Sequence, residues 1–154
     1  MRVVLVALVC SASFVASAGH YDLVDIPDVV PAAHHAALQK AGIRTSRDLY
    51  DKAAGKDERA ALSATTGIAY ADLYAWARFI DLMQVQGIGP KMVKLLNAAG
   101  VTGLAELQSA AAEPLHERAR LANVGNKYSE VVPPPDVIGA WIGVAKSLRS
   151  KLTR

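Results

Sequence analysis

The stretch Val85-Gln86-Gly87-Ile88-Gly89-Pro90-Lys91 decides how the chain folds. Two glycines bracket one apolar residue, and a proline and a lysine follow. The apolar-rich run Ala71 to Met83 precedes it, and Met92-Val93-Lys94-Leu95-Leu96 comes after. Glycine enters left-handed backbone without the clash a Cβ would bring, so Gly-Ile-Gly permits a tight reversal. Proline's fixed φ suits the first turn of a helix, where its missing N–H is no loss. The reading is a helix over Ala71–Met83, a hairpin, and a second helix opened by Gly89 or Pro90 and running to Ala99, with Gly100 as its left-handed cap. Ile88 is expected to point inward and lock the hairpin between the helices.

This arrangement resembles the helix-hairpin-helix motif, in which an apolar-x-Gly-apolar-Gly pattern joins two short helices. Backbone N–H groups at a helix N-terminus form a natural anion site, and the helix dipole favours a phosphate there. The candidate nucleic-acid contacts are Gly87, Ile88 and Gly89 through their backbone, with Lys91 and Lys94 as charge partners. The two lysines are three residues apart, so they share one helix face and could flank one phosphate strand. A second reading makes the hairpin a packing or protein-docking element whose lysines are merely solvated.

Outward from the hairpin, glycines punctuate a series of short helices. The expected helices are His35 to Ala41, Ser46 to Ala54 capped by Thr45, Lys56 to Thr65, Gly103 to Ala112 and Pro114 to Asn123. Pro133-Pro134-Pro135 is a stiff extended spacer. Pro135 then opens a last helix carrying Val137, Ile138, Trp141, Ala145, Leu148 and Leu152 at three- and four-residue spacing. No segment has the alternation of a strand. The expected fold class is all-α: two related short-helix units, about 20–83 and 84–152, in one domain over 19–154.

An internal repeat organises these helices. Leu38-Gln39-Lys40-Ala41-Gly42-Ile43 aligns with Leu96-Asn97-Ala98-Ala99-Gly100-Val101, 58 positions later. The same offset pairs Asp48-Leu49 with Glu106-Leu107 and Ala53-Ala54 with Ala111-Ala112. One residue of slip pairs Glu58-Arg59-Ala60 with Glu117-Arg118-Ala119, and Trp76 and Trp141 sit late in their halves. At the position of the hairpin the first half reads Asp28-Val29-Val30-Pro31, with neither glycine, and Asp22, Asp25 and Asp28 would repel phosphate. Residues 19–86 carry seven basic and nine acidic side chains, against nine and five in 87–154. Nucleic acid, if bound, therefore belongs to the second half, where Lys146, Arg149, Lys151 and Arg154 add to the basic side.

The N-terminus has the form of an address. Met1-Arg2 supplies a positive start, Val3 to Val15 is almost unbroken apolar sequence, and Ala16-Ser17-Ala18 places small residues before Gly19. Together these predict a secretory signal peptide over 1–18 and a periplasmic or secreted protein. A retained anchor is the alternative, but the run falls short of the roughly 20 residues a bilayer span needs. Ala7-Leu8-Val9 does not prepare Cys10 for lipidation. Removal of 1–18 leaves a chain without cysteine, so no disulfide framework, thiol redox motif or cysteine zinc site is open to it.

The ordered set of motifs resembles a family, the bacterial domain of unknown function 4332, over about Tyr21 to Lys146. The matching pieces include Leu38 to Thr45, Thr66-Gly67-Ile68, Ala75-Trp76, Ile80 to Met83, Gly87 to Pro90, Ala99-Gly100-Val101, Trp141-Ile142 and Ala145-Lys146. The resemblance implies an all-α fold with paired helix-hairpin-helix units and brings no catalytic residues. More distantly, the repeat is similar to the C-terminal domain of the bacterial RNA polymerase α subunit. The competence-type DNA receptor is an analogy of fold and compartment alone.

Other constellations point less sharply. His34 and His35 diverge by about 100° on a helix, and His116 is remote, so no metal site is expected. Cleavage after Ser17 would leave Ala18-Gly19-His20, a copper-binding start, but the better cut before Gly19 moves His20 to position two and weakens that reading. Tyr70, Tyr74, Trp76 and Phe79 could stack on bases, although their spacing fits a core-facing helix. No nucleophile elbow or P-loop is present, so neither catalysis nor a cofactor is expected. The sequence thus points to an exported, non-catalytic binding module without a stable membrane span after cleavage. Its partner is expected to be DNA, through sequence-nonspecific backbone contacts; the alternative is another protein, met by an interaction or envelope-scaffolding module with a purely structural hairpin.

Overall fold

The computed structural model describes residues 20–154; the expected export segment and Cys10 lie outside them. The described chain is all-α. Two 3-10 turns, Leu23–Asp25 and Ala32–His34, lead into α1 (His35–Lys40), α2 (Ser46–Ala53), α3 (Lys56–Thr66) and α4 (Tyr70–Met83). The second half follows with α5 (Pro90–Ala98), α6 (Leu104–Gln108), α7 (Ala112–Asn126) and α8 (Pro135–Ser147). Among the described residues the sole β feature is an isolated bridge between Asp22 and Thr45. None of these helices is long and apolar enough to cross a membrane.

Local chemistry sets most boundaries. Thr45 and Asp48 form a reciprocal capping box at the start of α2, satisfying two otherwise orphaned N–H groups. Gly67, at φ 72°, ends α3 in left-handed conformation. Three elements differ from the sequence expectation. The helix expected over 103–112 stops at Gln108, and α7 begins already at Ala112 with Pro114 in its first turn, where proline is tolerated. α7 then runs through Gly125 to Asn126 and is closed by Lys127 at φ 47°. The last helix ends at Ser147, and Leu148 turns extended. Gln108 Nε2 donates to the Ala145 and Leu148 carbonyls, which occupies that helix end. Leu148 and Leu152 therefore do not continue the stripe of α8.

Two apolar cores result. One gathers residues from Leu23 to Ile80, the other from Leu82 to Ala145; Tyr21 and Phe79 pack against both, and Leu152 packs against the first. α4 gives one face to each, so the two halves share an element as well as a boundary.

The halves repeat bond by bond. Gly42 N–Gln39 O and Ile43 N–Leu38 O recur as Gly100 N–Asn97 O and Val101 N–Leu96 O, at the 58-residue offset. In the turn before α1 the offset is 59: Val29 N donates to Ile26 O as Ile88 N donates to Val85 O. The 3-10 turn Ala32–His34 takes up the extra residue. Asp28 therefore stands where Gly87 stands, and Val30 where Gly89 stands.

The pairing of Arg59 with Arg118 gives way to a different one. Arg59 N bonds Gly55 O as Leu115 N bonds Ala111 O, and both side chains are fully buried. Leu115 is thus the counterpart of Arg59, while Arg118 lies outside the core and its Nε donates to Ala99 O. α4 and α8 begin 65 residues apart, which superposes Leu73 on Ile138 and Trp76 on Trp141, all four buried.

Candidate functional site

The hairpin is built by short backbone bonds. Val85 N reaches Leu82 O and Ile88 N reaches Val85 O, while Gly87 turns through φ 89°. Gly89 is extended, at φ −91° and ψ 178°, and its carbonyl accepts Val93 N at 3.0 Å. Ile88 is buried in the second core. Among the described residues, the amides of Gly87, Gly89, Lys91 and Met92 have no acceptor. They precede or open α5, where the dipole favours negative charge.

The glycines also have packing duties. A Cβ on Gly87 would lie 2.9 Å from Trp141 Nε1, and one on Gly89 would lie 3.2 Å from the Tyr21 hydroxyl. Gly87 is thus required twice, by its positive φ and by the indole that covers it.

The two lysines have different surroundings. Lys91 is exposed. Lys94 is tied across to the first half, with Nζ 2.6 Å from Asp28 Oδ2. The hydrogen bond and charge of Lys94 hold the Asp28 carboxyl below its ordinary range. Of the two lysines expected to flank one phosphate strand, Lys91 is exposed and Lys94 is held by Asp28. Between the residues around Asp28 and the start of α5 lies a groove of about 430 Å³. Ile26, Val29 and Met92 are part of its apolar lining, and Asp25, Asp28, Lys91 and Lys94 are its charged lining.

The remaining candidates are engaged in packing or hydrogen bonds, although Tyr70 stays exposed. Trp76 is buried with its ring 5.3 Å from that of His34. His35 Nε2 donates to Val30 O at 2.8 Å, and the His116 ring is bonded to Pro133 O. Tyr70 and Tyr74 place their rings 4.6 Å from the Arg59 guanidinium carbon. No group of three or more metal-ligating side chains converges among the described residues.

Two buried polar centres had no sequence signal. Arg59 donates to Ala53 O, Ala54 O, the Tyr70 hydroxyl and Thr153 O. Asp81, 1% exposed, accepts from Tyr50 Oη at 2.5 Å, Gln84 Nε2 at 2.7 Å and Ser150 Oγ at 2.8 Å. Burial raises the Asp81 carboxyl above its ordinary range despite those donors, and it raises the Tyr50 phenol as well. The C-terminal segment bearing Ser150, Lys151 and Thr153 is stitched to the first half. Lys151 pairs with Asp51 at 2.9 Å, so that lysine does not extend a basic face of the second half.

No curated protein and no solved structure matches the chain. A family model described as domain of unknown function (DUF4332) matches residues 29–148, from the acidic turn of the first half to the point where the chain leaves α8. With both halves inside that match, the chain belongs to the family of this domain of unknown function.

Proposed function

We propose that the chain is an exported, non-catalytic binding module and that the groove beside the hairpin docks another protein. The observation that carries this reading is the Lys94–Asp28 ion pair, which engages one of the two hairpin cations and leaves Asp25 as the groove's acid without an ion pair among the described residues. A duplex presents a charge about every 1.7 Å of its axis, so its neighbouring phosphates would run past that acid. A single carboxylate from a protein segment in the groove needs only free amides such as those of Gly89, Lys91 and Met92, which line it. The apolar lining and the charges of both signs around it suit a short segment carrying one acidic, one apolar and one basic side chain. Export rests on the pattern of residues 1–18.

Nonspecific binding to a DNA backbone is the second reading, favoured by the four free amides and by exposed Lys91. Fluorescence anisotropy with a labelled duplex at two salt concentrations separates the two. The docking reading expects no binding even at low salt. Binding that weakens with salt and is lost in Lys91→Glu would replace it with the DNA reading. In-cell crosslinking of the wild-type chain, with Lys91→Glu as the control, then identifies the protein that sits at the groove; loss of one crosslinked partner in that variant is the expected result.

A further inference from the structure

A cavity of about 290 Å³ opens where α2, α4 and the segment after α8 meet. Ile80, Met83 and Leu148 are its apolar lining, and His20, Arg47, Asp51 and Lys151 are its charged lining. Asp51 serves two cations at once. Lys151 Nζ lies 2.9 Å from its carboxylate, but Arg47 Nε lies 3.7 Å away, beyond hydrogen-bonding length. One carboxylate between two cations leaves positive charge in excess. Arg47 Nη1 donates to His20 Nε2 at 3.2 Å, and the rest of this guanidinium makes no hydrogen bond among the described residues. Arg47 and Lys151 keep most of their side chains accessible, so an incoming anion reaches them without opening the core.

The repeat shows that the shared fold does not require this set. α2 and α6 begin 58 residues apart, which superposes Ser46 on Leu104, Arg47 on Ala105 and Asp51 on Ser109. Ser46 and Leu104 are equally buried, each 1% exposed. The first half thus gives up an apolar core position to a hydroxyl that lines the cavity. That hydroxyl accepts the Tyr21 amide at 3.1 Å and donates to no acceptor among the described residues.

We propose that this cavity binds a small carboxylate carried on an apolar aryl or alkyl body. The carboxylate pairs with Arg47, whose planar fork suits two parallel hydrogen bonds and which Asp51 engages only at a distance. The apolar body covers Ile80, Met83 and Leu148. Ligand cavities run from about 300 Å³ upward, so the occupant is a compact molecule. A bare inorganic anion would leave the apolar lining wet, and a neutral apolar molecule would leave the excess charge unanswered. The site shares no lining residue with the groove beside the hairpin.

The three methionines of the chain make the test local. Met83 lines this cavity, Met92 lines the groove beside the hairpin, and Met1 belongs to the expected export segment. In the full-length chain with methyl-labelled methionine, 2-naphthoate is titrated in and the methyl resonances are followed by NMR. The expected result is a saturable shift of the Met83 methyl with Met92 unmoved. The neutral 2-naphthamide should bind about tenfold more weakly, and Arg47→Ala should weaken 2-naphthoate by about the same factor. Asp51→Asn removes the competing carboxylate and should tighten 2-naphthoate about threefold or more. Both substitutions fall at exposed helix positions, so the fold survives them. Absence of a saturable Met83 shift overturns the proposal. So does an equal shift at Met92, equal affinity for the amide, or wild-type affinity in either variant.

Discussion

Before α1 the first half reads Asp28-Val29-Val30-Pro31; before α5 the second reads Gly87-Ile88-Gly89-Pro90. The same backbone bond closes both turns, and a tryptophan from the fourth helix of each half lies nearby, against His34 in one and Gly87 in the other. The shared frame comes from residues that face a core, such as Leu38 and Leu96 or Leu73 and Ile138. The differences sit where each half meets something outside itself. The first turn supplies the acid that takes Lys94, and the second keeps its amides free. The first half places Arg59 in its core to receive the tail; the second fills that place with Leu115. The two halves thus share their packing while each makes its own contacts beyond itself.

Making the halves alike at this buried position should break the comparison most severely. Arg59→Leu removes the donor shared by Ala53 O, Ala54 O, Tyr70 and Thr153 O. It leaves those groups unpaired and is expected to cost about 3–5 kcal/mol. Chemical denaturation measures the loss, and hydrogen exchange should show Thr153 N unprotected. A smaller effect separates the two roles of Gly87. Gly87→Ala and Gly42→Ala both place a side chain at positive φ, 89° and 78°, but only position 87 meets an indole nitrogen at 2.9 Å. Both should lose about 1–2 kcal/mol to backbone strain. Position 87 should lose about 1–3 kcal/mol more to the overlap with Trp141. Equal denaturation midpoints would mean that the indole yields without cost.

The all-α fold was legible because its signals are local: glycines after helices, a Thr–Asp cap, prolines in first turns and apolar residues at helical spacing. The hairpin was legible for the same reason, down to the inward Ile88. What stayed hidden involves residues distant in sequence. Asp28 and Lys94 are 66 positions apart, and Ser150 and Asp81 are 69 apart. The last stretch fits the helical spacing of α8 through Leu152, yet bonds to the first half hold it extended. The Glu-Arg-Ala match misled because letter identity in alanine-rich helices carries less information than the backbone register at Gly55 and Ala111.

The Asp81 centre gives a pH signature with a definite sign. Its folded carboxyl titrates above the ordinary range because burial outweighs the donors around it. The folded state therefore binds more protons than the unfolded one from about pH 4 up to that raised value, and stability falls as pH rises through this window. Asp48 has the opposite sign. The Arg44 and Thr45 amides lower its carboxyl, so its contribution is present above the ordinary range and is lost as pH falls through the lowered value. In Asp81→Asn, Oδ1 can still accept from Tyr50 and Gln84, and the new amide can donate to Ser150. The stability of this variant should lose the decline on the higher-pH side and keep the acid-side loss. Denaturation midpoints across that range measure both slopes, and an unchanged decline in Asp81→Asn would place its source elsewhere.

The smallest change to stability should make the largest change to what the surface attracts. Asp28 and Lys94 form an exposed pair, with 75% and 34% of their side chains accessible, so breaking it should leave the denaturation midpoint unmoved. Asp25→Asn with Asp28→Asn frees Lys94 and neutralises both acids of the groove's lining while leaving the four amides in place. The first half would then present a hairpin neighbour as free of acid as the second half's own turn. If those two acids are what keeps a polyanion off this face, the double variant should bind a labelled duplex at low salt where the wild-type chain does not. Its affinity should fall steeply as salt rises. Equal binding by both chains would mean that Lys91 and the amides suffice, and the difference between the two turns would then have no bearing on the partner. Binding by neither would leave the amides to a smaller anion, such as one carboxylate of a docked protein.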